Sequence, residues 1–69
     1  MDANTFFSNL KNDIANSKTS KTLKILGKRA KRFVEEVNNS NASSAYKNMV
    51  MKAYRDSMKM INKMKKRFS

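Results

Sequence analysis

A small all-α three-helix bundle, with a short N-terminal helix and two longer amphipathic ones, is the fold class this sequence predicts. Three observations carry it. Apolar residues recur at helical spacing in three segments, two breaks rich in Ser and Asn divide those segments, and no Pro interrupts any of them. With 69 residues there is room for one domain spanning 1–69, and a chain this short buries only roughly 60% of its unfolded surface.

The first helix is predicted over residues 3–16. Phe6, Phe7, Leu10 and Ile14 fall on one side of a 3.6-residue wheel, with Ala3 between them. Asp2 or Thr5 is placed to cap its free N–H groups. At about three turns, such a helix holds only if it packs. The break at Asn16, Ser17, Lys18, Thr19 and Ser20 follows, composed of side chains that compete for backbone hydrogen bonds and favour turns.

The second helix is predicted over 20–37, with Thr19 or Ser20 as its N-cap. Leu23, Leu26, Ala30, Phe33, Val34 and Val37 fill an arc of about 100°, and Gly27 sits at its edge. Glycine in a helix interior costs about 1 kcal/mol against Ala. Close approach of a neighbouring helix is the preferred reason for it, ahead of a break of the helix in two. A second polar stretch, from Asn38 to Ser44, ends this segment.

The third helix is predicted over 44–67, capped by Ser43 or Ser44. Tyr46, Val50, Ala53, Ser57, Met60 and Met64 recur at spacings of four and three, the seam of a packed helix, with Met49, Tyr54 and Ile61 flanking it. Met51, Met58 and Phe68 widen the apolar arc to about 200°, more than a surface helix of a small bundle needs. Such a Met-rich stripe usually serves as adaptable core filling, and the excess width leaves room for a second apolar contact, either a homodimer face or a groove for a partner's helix.

Sixteen Lys and Arg stand against five Asp and Glu, a formal charge of +11, and they are unevenly spread. Residues 1–17 carry a net −1, residues 18–34 carry +7, and residues 47–69 carry +7. Lys21, Lys24, Lys28, Arg29, Lys31 and Arg32 occupy the polar side of the second helix. Lys52, Arg55, Lys59, Lys63 and Lys66 form a stripe about 21 Å long on the third. On the second helix Lys18, Lys21 and Lys24 crowd the N-terminus while Glu35 and Glu36 sit at the C-terminus, opposite to what the macrodipole favours. The pairs Lys31 with Glu35 and Arg32 with Glu36 are in the weaker order for i,i+4 support. Helix stability does not explain these charges; an anionic partner does. The cluster Lys63, Lys65, Lys66 and Arg67 weighs less, because the dipole favours cations in a last turn.

Composition narrows the function classes. With no Cys and no His, and only Asp2, Asp13, Glu35, Glu36 and Asp56 as acids, no metal site and no cofactor is expected. Acid–base and nucleophilic catalysis need a titrating group with an orienting partner, so an enzyme is not expected either. Glu35 and Glu36, as sequence neighbours, point about 100° apart and do not converge. No run approaches the roughly 18 to 20 apolar residues of a membrane span. The opening Met-Asp-Ala-Asn-Thr-Phe-Phe lacks a basic region ahead of an apolar one, so no secretory signal is expected and the mature chain is read as the whole chain. An intracellular setting, cytoplasmic or within a virion, follows.

The leading expectation is sequence-tolerant binding of DNA or RNA, with the eleven helix-borne cations Lys21, Lys24, Lys28, Arg29, Lys31, Arg32, Lys52, Arg55, Lys59, Lys63 and Lys66 on phosphates. No helix-turn-helix, zinc-finger or basic-zipper spacing is visible, so base-specific readout is not expected. The alternative is a phage- or virus-type inhibitor or assembly factor that docks on an acidic protein surface. Ile25, an apolar residue within the most basic face, motivates it, and Ile25, Met51, Met58 and Phe68 are its expected partner or dimer contacts. A cationic membrane-active peptide ranks third, since the chain has no Trp and is polar on average.

Overall fold

Each helix begins where a polar side chain takes up a free backbone N–H. The Asp2 carboxylate accepts from the Asn4 N–H at 3.4 Å, the Thr19 hydroxyl from the Thr22 N–H at 3.2 Å, and the Ser43 hydroxyl from the Tyr46 N–H at 3.2 Å. In the computed structural model, which describes residues 2–68, these caps open α1 (Ala3–Ala15), α2 (Ser20–Asn38) and α3 (Ser44–Phe68). The chain is an all-α three-helix bundle.

The C-terminal ends differ by one residue from the expected ones, and two serines account for two of them. Asn16 leaves helical geometry, and the buried Ser17 turns its hydroxyl back to donate to the Asp13 carbonyl at 2.8 Å. That bond satisfies a carbonyl the helix end leaves open, so α1 stops at Ala15. Beyond α2 the Ser40 hydroxyl donates to the Val37 carbonyl at 2.6 Å, and the helix extends to Asn38 with Asn39 as its cap. α3 runs on to Phe68, one residue past the expected end.

Short connections between consecutive helices make neighbours antiparallel, and the contacts follow that rule. Ala3 and Phe7 of α1 lie beside Met49, Val50 and Ala53 near the start of α3, and Ala15 lies beside Met60 and Met64 further along, so α1 and α3 run in the same direction. Leu23 and Gly27 near the start of α2 meet Met58 and Ile61 in the second half of α3, so α2 runs against it. The particle measures 39 × 17 × 16 Å. α3, with 25 residues, is about 37 Å long at 1.5 Å per residue and spans it end to end. α3 packs most extensively on α2 and next on α1.

Ile14, Leu23 and Ala30 are wholly buried where the three helices meet, joined by Phe7, Leu10, Leu26, Val34, Val50 and Ile61. Phe6 and Phe33 close the core at the α1–α2 seam. Gly27 lies in an unbroken α2. The nearest atoms to a Cβ built there are side-chain atoms, Ile61 Cδ1 at 3.8 Å and Met58 Sδ at 3.9 Å. The helices approach through those side chains and not backbone to backbone, and the space left at Gly27 is that of one methyl group. Ser57, on the seam of α3, is fully buried, and its hydroxyl has no hydrogen-bond partner among the described residues.

Candidate functional site

The cations of α2 do not share one face. α2 is continuous through Gly27, so Lys24, Lys28 and Lys31, at spacings of four and three, stand on a single flank. That flank borders α3, where the three lysines line a groove with Leu23, Gly27, Tyr54, Met58, Ile61 and Lys65. Arg29 projects to the opposite flank, above α1, into a depression lined by Phe6, Asn9, Leu10 and Asp13. Lys21 and Arg32 point outward between the two flanks, exposed to solvent.

The cations of α3 divide in the same way. Lys52, Arg55 and Lys59 are exposed on its outer side. Lys63 falls toward α1 and shares a hollow with Ala15, Met60, Met64 and Arg67. Lys66 is exposed one turn further on. Lys65, half-buried, is the α3 cation that enters the α2–α3 groove, opposite the three α2 lysines.

Among the described residues Lys24, Lys28, Lys31 and Lys65 form no ion pair, and neither do Lys21, Arg32, Lys52, Arg55 and Lys59. Glu35 and Glu36 sit at i+4 from Lys31 and Arg32 yet form no ion pair with either among the described residues. The first turns of α2 and α3 contain no acidic residue, and the last turn of α2 contains no basic one. Apart from the half-buried Lys65, these nine cations are exposed, and no ion pair of the bundle engages them among the described residues.

The four residues expected as partner contacts lie in three places. Ile25 is 47% exposed in a depression at the α1–α2 end with Asn16, Ser17, Lys18, Thr22 and Arg29. Met51 and Met58 are half-buried on the groove side of α3, two turns apart. Phe68 is 40% exposed at the C-terminal end of α3. Five groove residues were not among the expected site residues: Leu23, Gly27 and Ile61, read from the sequence only as packing positions, and, more tellingly, Lys65 and the half-buried Tyr54. The signal for the last two was available, since Met51, Met58 and Lys65 recur every seven residues and Tyr54 is one turn before Met58. The basic run 63–67 masked it for Lys65, and the apolar seam absorbed Tyr54.

No family model, curated protein or solved structure matches this chain.

Proposed function

We propose that this chain is a non-enzymatic nucleic-acid-binding protein that grips the phosphate backbone of DNA or RNA without reading base sequence. The observation that supports the reading is the set of exposed cations without an ion pair among the described residues on both long helices, Lys21, Lys24, Lys28, Lys31 and Arg32 of α2 with Lys52, Arg55 and Lys59 of α3. Charges arranged against the macrodipole and without ion pairs raise the free energy of the isolated fold. A polyanion relieves that repulsion and releases its own condensed counterions as it binds.

Two exposed faces separated by a groove grip a backbone and do not present one recognition helix to a major groove. Contact with phosphates alone carries no sequence information. The setting that suits the reading is intracellular or within a virion, where nucleic acid is the dominant polyanion. Among the described residues no helix is long and apolar enough to cross a membrane.

The test is a titration of duplex DNA, single-stranded DNA and RNA over a range of salt. Neutralising six to eight phosphates gives a log–log slope of about −5 to −7 on duplex DNA. Affinities that agree within a few-fold across unrelated sequences accompany it. A slope near zero, or no binding at low salt, refutes the reading.

A further inference from the structure

The α2–α3 pair has two long faces, and α1 covers one of them through Phe7, Leu10 and Ile14. The other face is a groove that no element among the described residues fills. Its floor exposes Gly27, Tyr54 and the flexible thioether of Met58, with Leu23 and Ile61 beneath. Lys24, Lys28 and Lys31 rim one side and Lys65 the other. We infer that this groove seats an acidic amphipathic helix from a partner protein, its apolar side on Gly27 and Met58 and its carboxylates against the lysine rim.

The groove between two packed helices is the shape into which a further helix lays its ridge of side chains. Gly27 deepens it at the centre. A Cβ there would lie 3.8 Å from Ile61 Cδ1 and 3.9 Å from Met58 Sδ, so the position has room for one methyl group from outside. Methionine re-packs around whatever enters, which suits a floor that must meet a foreign side chain. The lysines are extended enough to lay apolar stems along the walls while their ammonium groups stand at the lip.

Charge selects the occupant. The four rim cations have no ion pair among the described residues, so carboxylates on the flanks of an incoming helix meet open partners. A second copy of this chain would bring the same lysine rim and a net charge of +11, and like charges at close quarters oppose it. A phosphate backbone would satisfy the rim but leave the apolar floor unused. Lys24, Lys28 and Lys31 are shared with the nucleic-acid reading, so the two occupants compete at the rim, and the apolar floor of Gly27, Tyr54 and Met58 is what singles out the helix.

The experiment uses the full chain and two labelled peptides of about 20 residues, roughly 30 Å as a helix, followed by fluorescence anisotropy near physiological ionic strength. Both have the same Leu and Glu content; one arranges it on two helical faces and the other is scrambled. The amphipathic peptide is expected to bind at least ~10-fold more tightly, a difference of about 1.4 kcal/mol. The double variant K24E/K28E, at two exposed positions that leave the fold intact, lowers that affinity at least ~10-fold, and Met58→Glu removes the preference for the ordered peptide. The variant K52E/K59E makes the same charge change on the outer side of α3 and shifts the affinity less than about 3-fold. Equal binding of the scrambled peptide, or equal loss in the two double variants, overturns the inference and leaves only net charge. Displacement of the peptide by a single-stranded oligonucleotide that also shields Met58 from oxidation gives the groove to nucleic acid, and overturns it too.

Discussion

The ring of Phe6 in α1 lies flat on the ring of Phe33 in α2, with centroids 4.1 Å apart and planes 9° from parallel, while Phe7 meets both rings edge-on. This cluster ties a helix of 13 residues, too short to hold by itself, to the longer pair. Phe33→Ala is expected to lower stability by about 3 kcal/mol, the loss of large aromatic packing together with the ring contacts. Amide exchange should accelerate more in α1 than in α3. A loss below about 1 kcal/mol, or uniform acceleration, would show that α1 is held by Leu10 and Ile14 instead.

What was legible in the sequence follows from periodicity and capping chemistry. Leu23, Ala30 and Val34 declare their face by spacing alone, and the pairs Thr19–Ser20 and Ser43–Ser44 mark two helix starts to within a residue, with Thr19 and Ser43 the caps the structure selects, so the three helices could be drawn beforehand. The grouping of Lys24, Lys28 and Lys31 apart from Arg29 could not. It depends on which flank of α2 meets α3 and which meets α1, and a wheel drawn for one helix carries no information about its neighbours. Lys65 was hidden for a related reason. A cation near a helix C-terminus has an adequate local explanation in the dipole, and only the position of α2 gives it a second one.

Ser57 has a hydroxyl sealed in the core without a partner among the described residues. Such a group carries its desolvation penalty uncompensated, typically about 1–3 kcal/mol, and Ser is also a poorer helix former than Ala. Ser57→Ala is expected to stabilise the bundle by about 1–2 kcal/mol, read from chemical denaturation with an unchanged m-value. Destabilisation by the same substitution would reveal that the hydroxyl has a partner in solution.

Gly27→Ala distinguishes a packing requirement from mere tolerance. The added methyl group would meet Ile61 and Met58 at 3.8–4.0 Å, ordinary van der Waals distances, and α2 is regular at this point. The helix-propensity gain of about 1 kcal/mol should therefore appear nearly in full. A loss of stability would mean that α2 and α3 approach more closely than these distances indicate.

Salt should act on folding and on nucleic-acid binding with opposite signs. A net charge of +11 on 69 residues is self-repulsive. Raising ionic strength from about 0.01 M to about 0.15 M shortens the screening length from about 30 Å to about 8 Å. The melting temperature of the free chain is expected to rise by several degrees over that range while affinity for duplex DNA falls steeply. A melting temperature that drops with salt would place net attraction, and not repulsion, among the surface charges.

Lys21 sets fold stability directly against the proposed function. It occupies the first turn of α2, where no acidic residue is present, and it is exposed without an ion pair among the described residues. Replacing it by Glu removes an unfavourable interaction with the positive helix end and installs a favourable one, each worth about 0.3–1 kcal/mol. Lys21→Glu is thus expected to stabilise the chain by about 1 kcal/mol. The same change removes a phosphate contact, so the log–log salt slope for DNA should shrink by about 1 and the affinity should fall on every sequence alike. Greater stability with weaker binding would identify Lys21 as a residue placed for a polyanion at the expense of its own helix. Greater stability with undiminished DNA affinity would remove the N-terminal end of α2 from the interface and leave phosphate contact to Lys28, Lys31 and Arg32 further along α2 and to the outer side of α3.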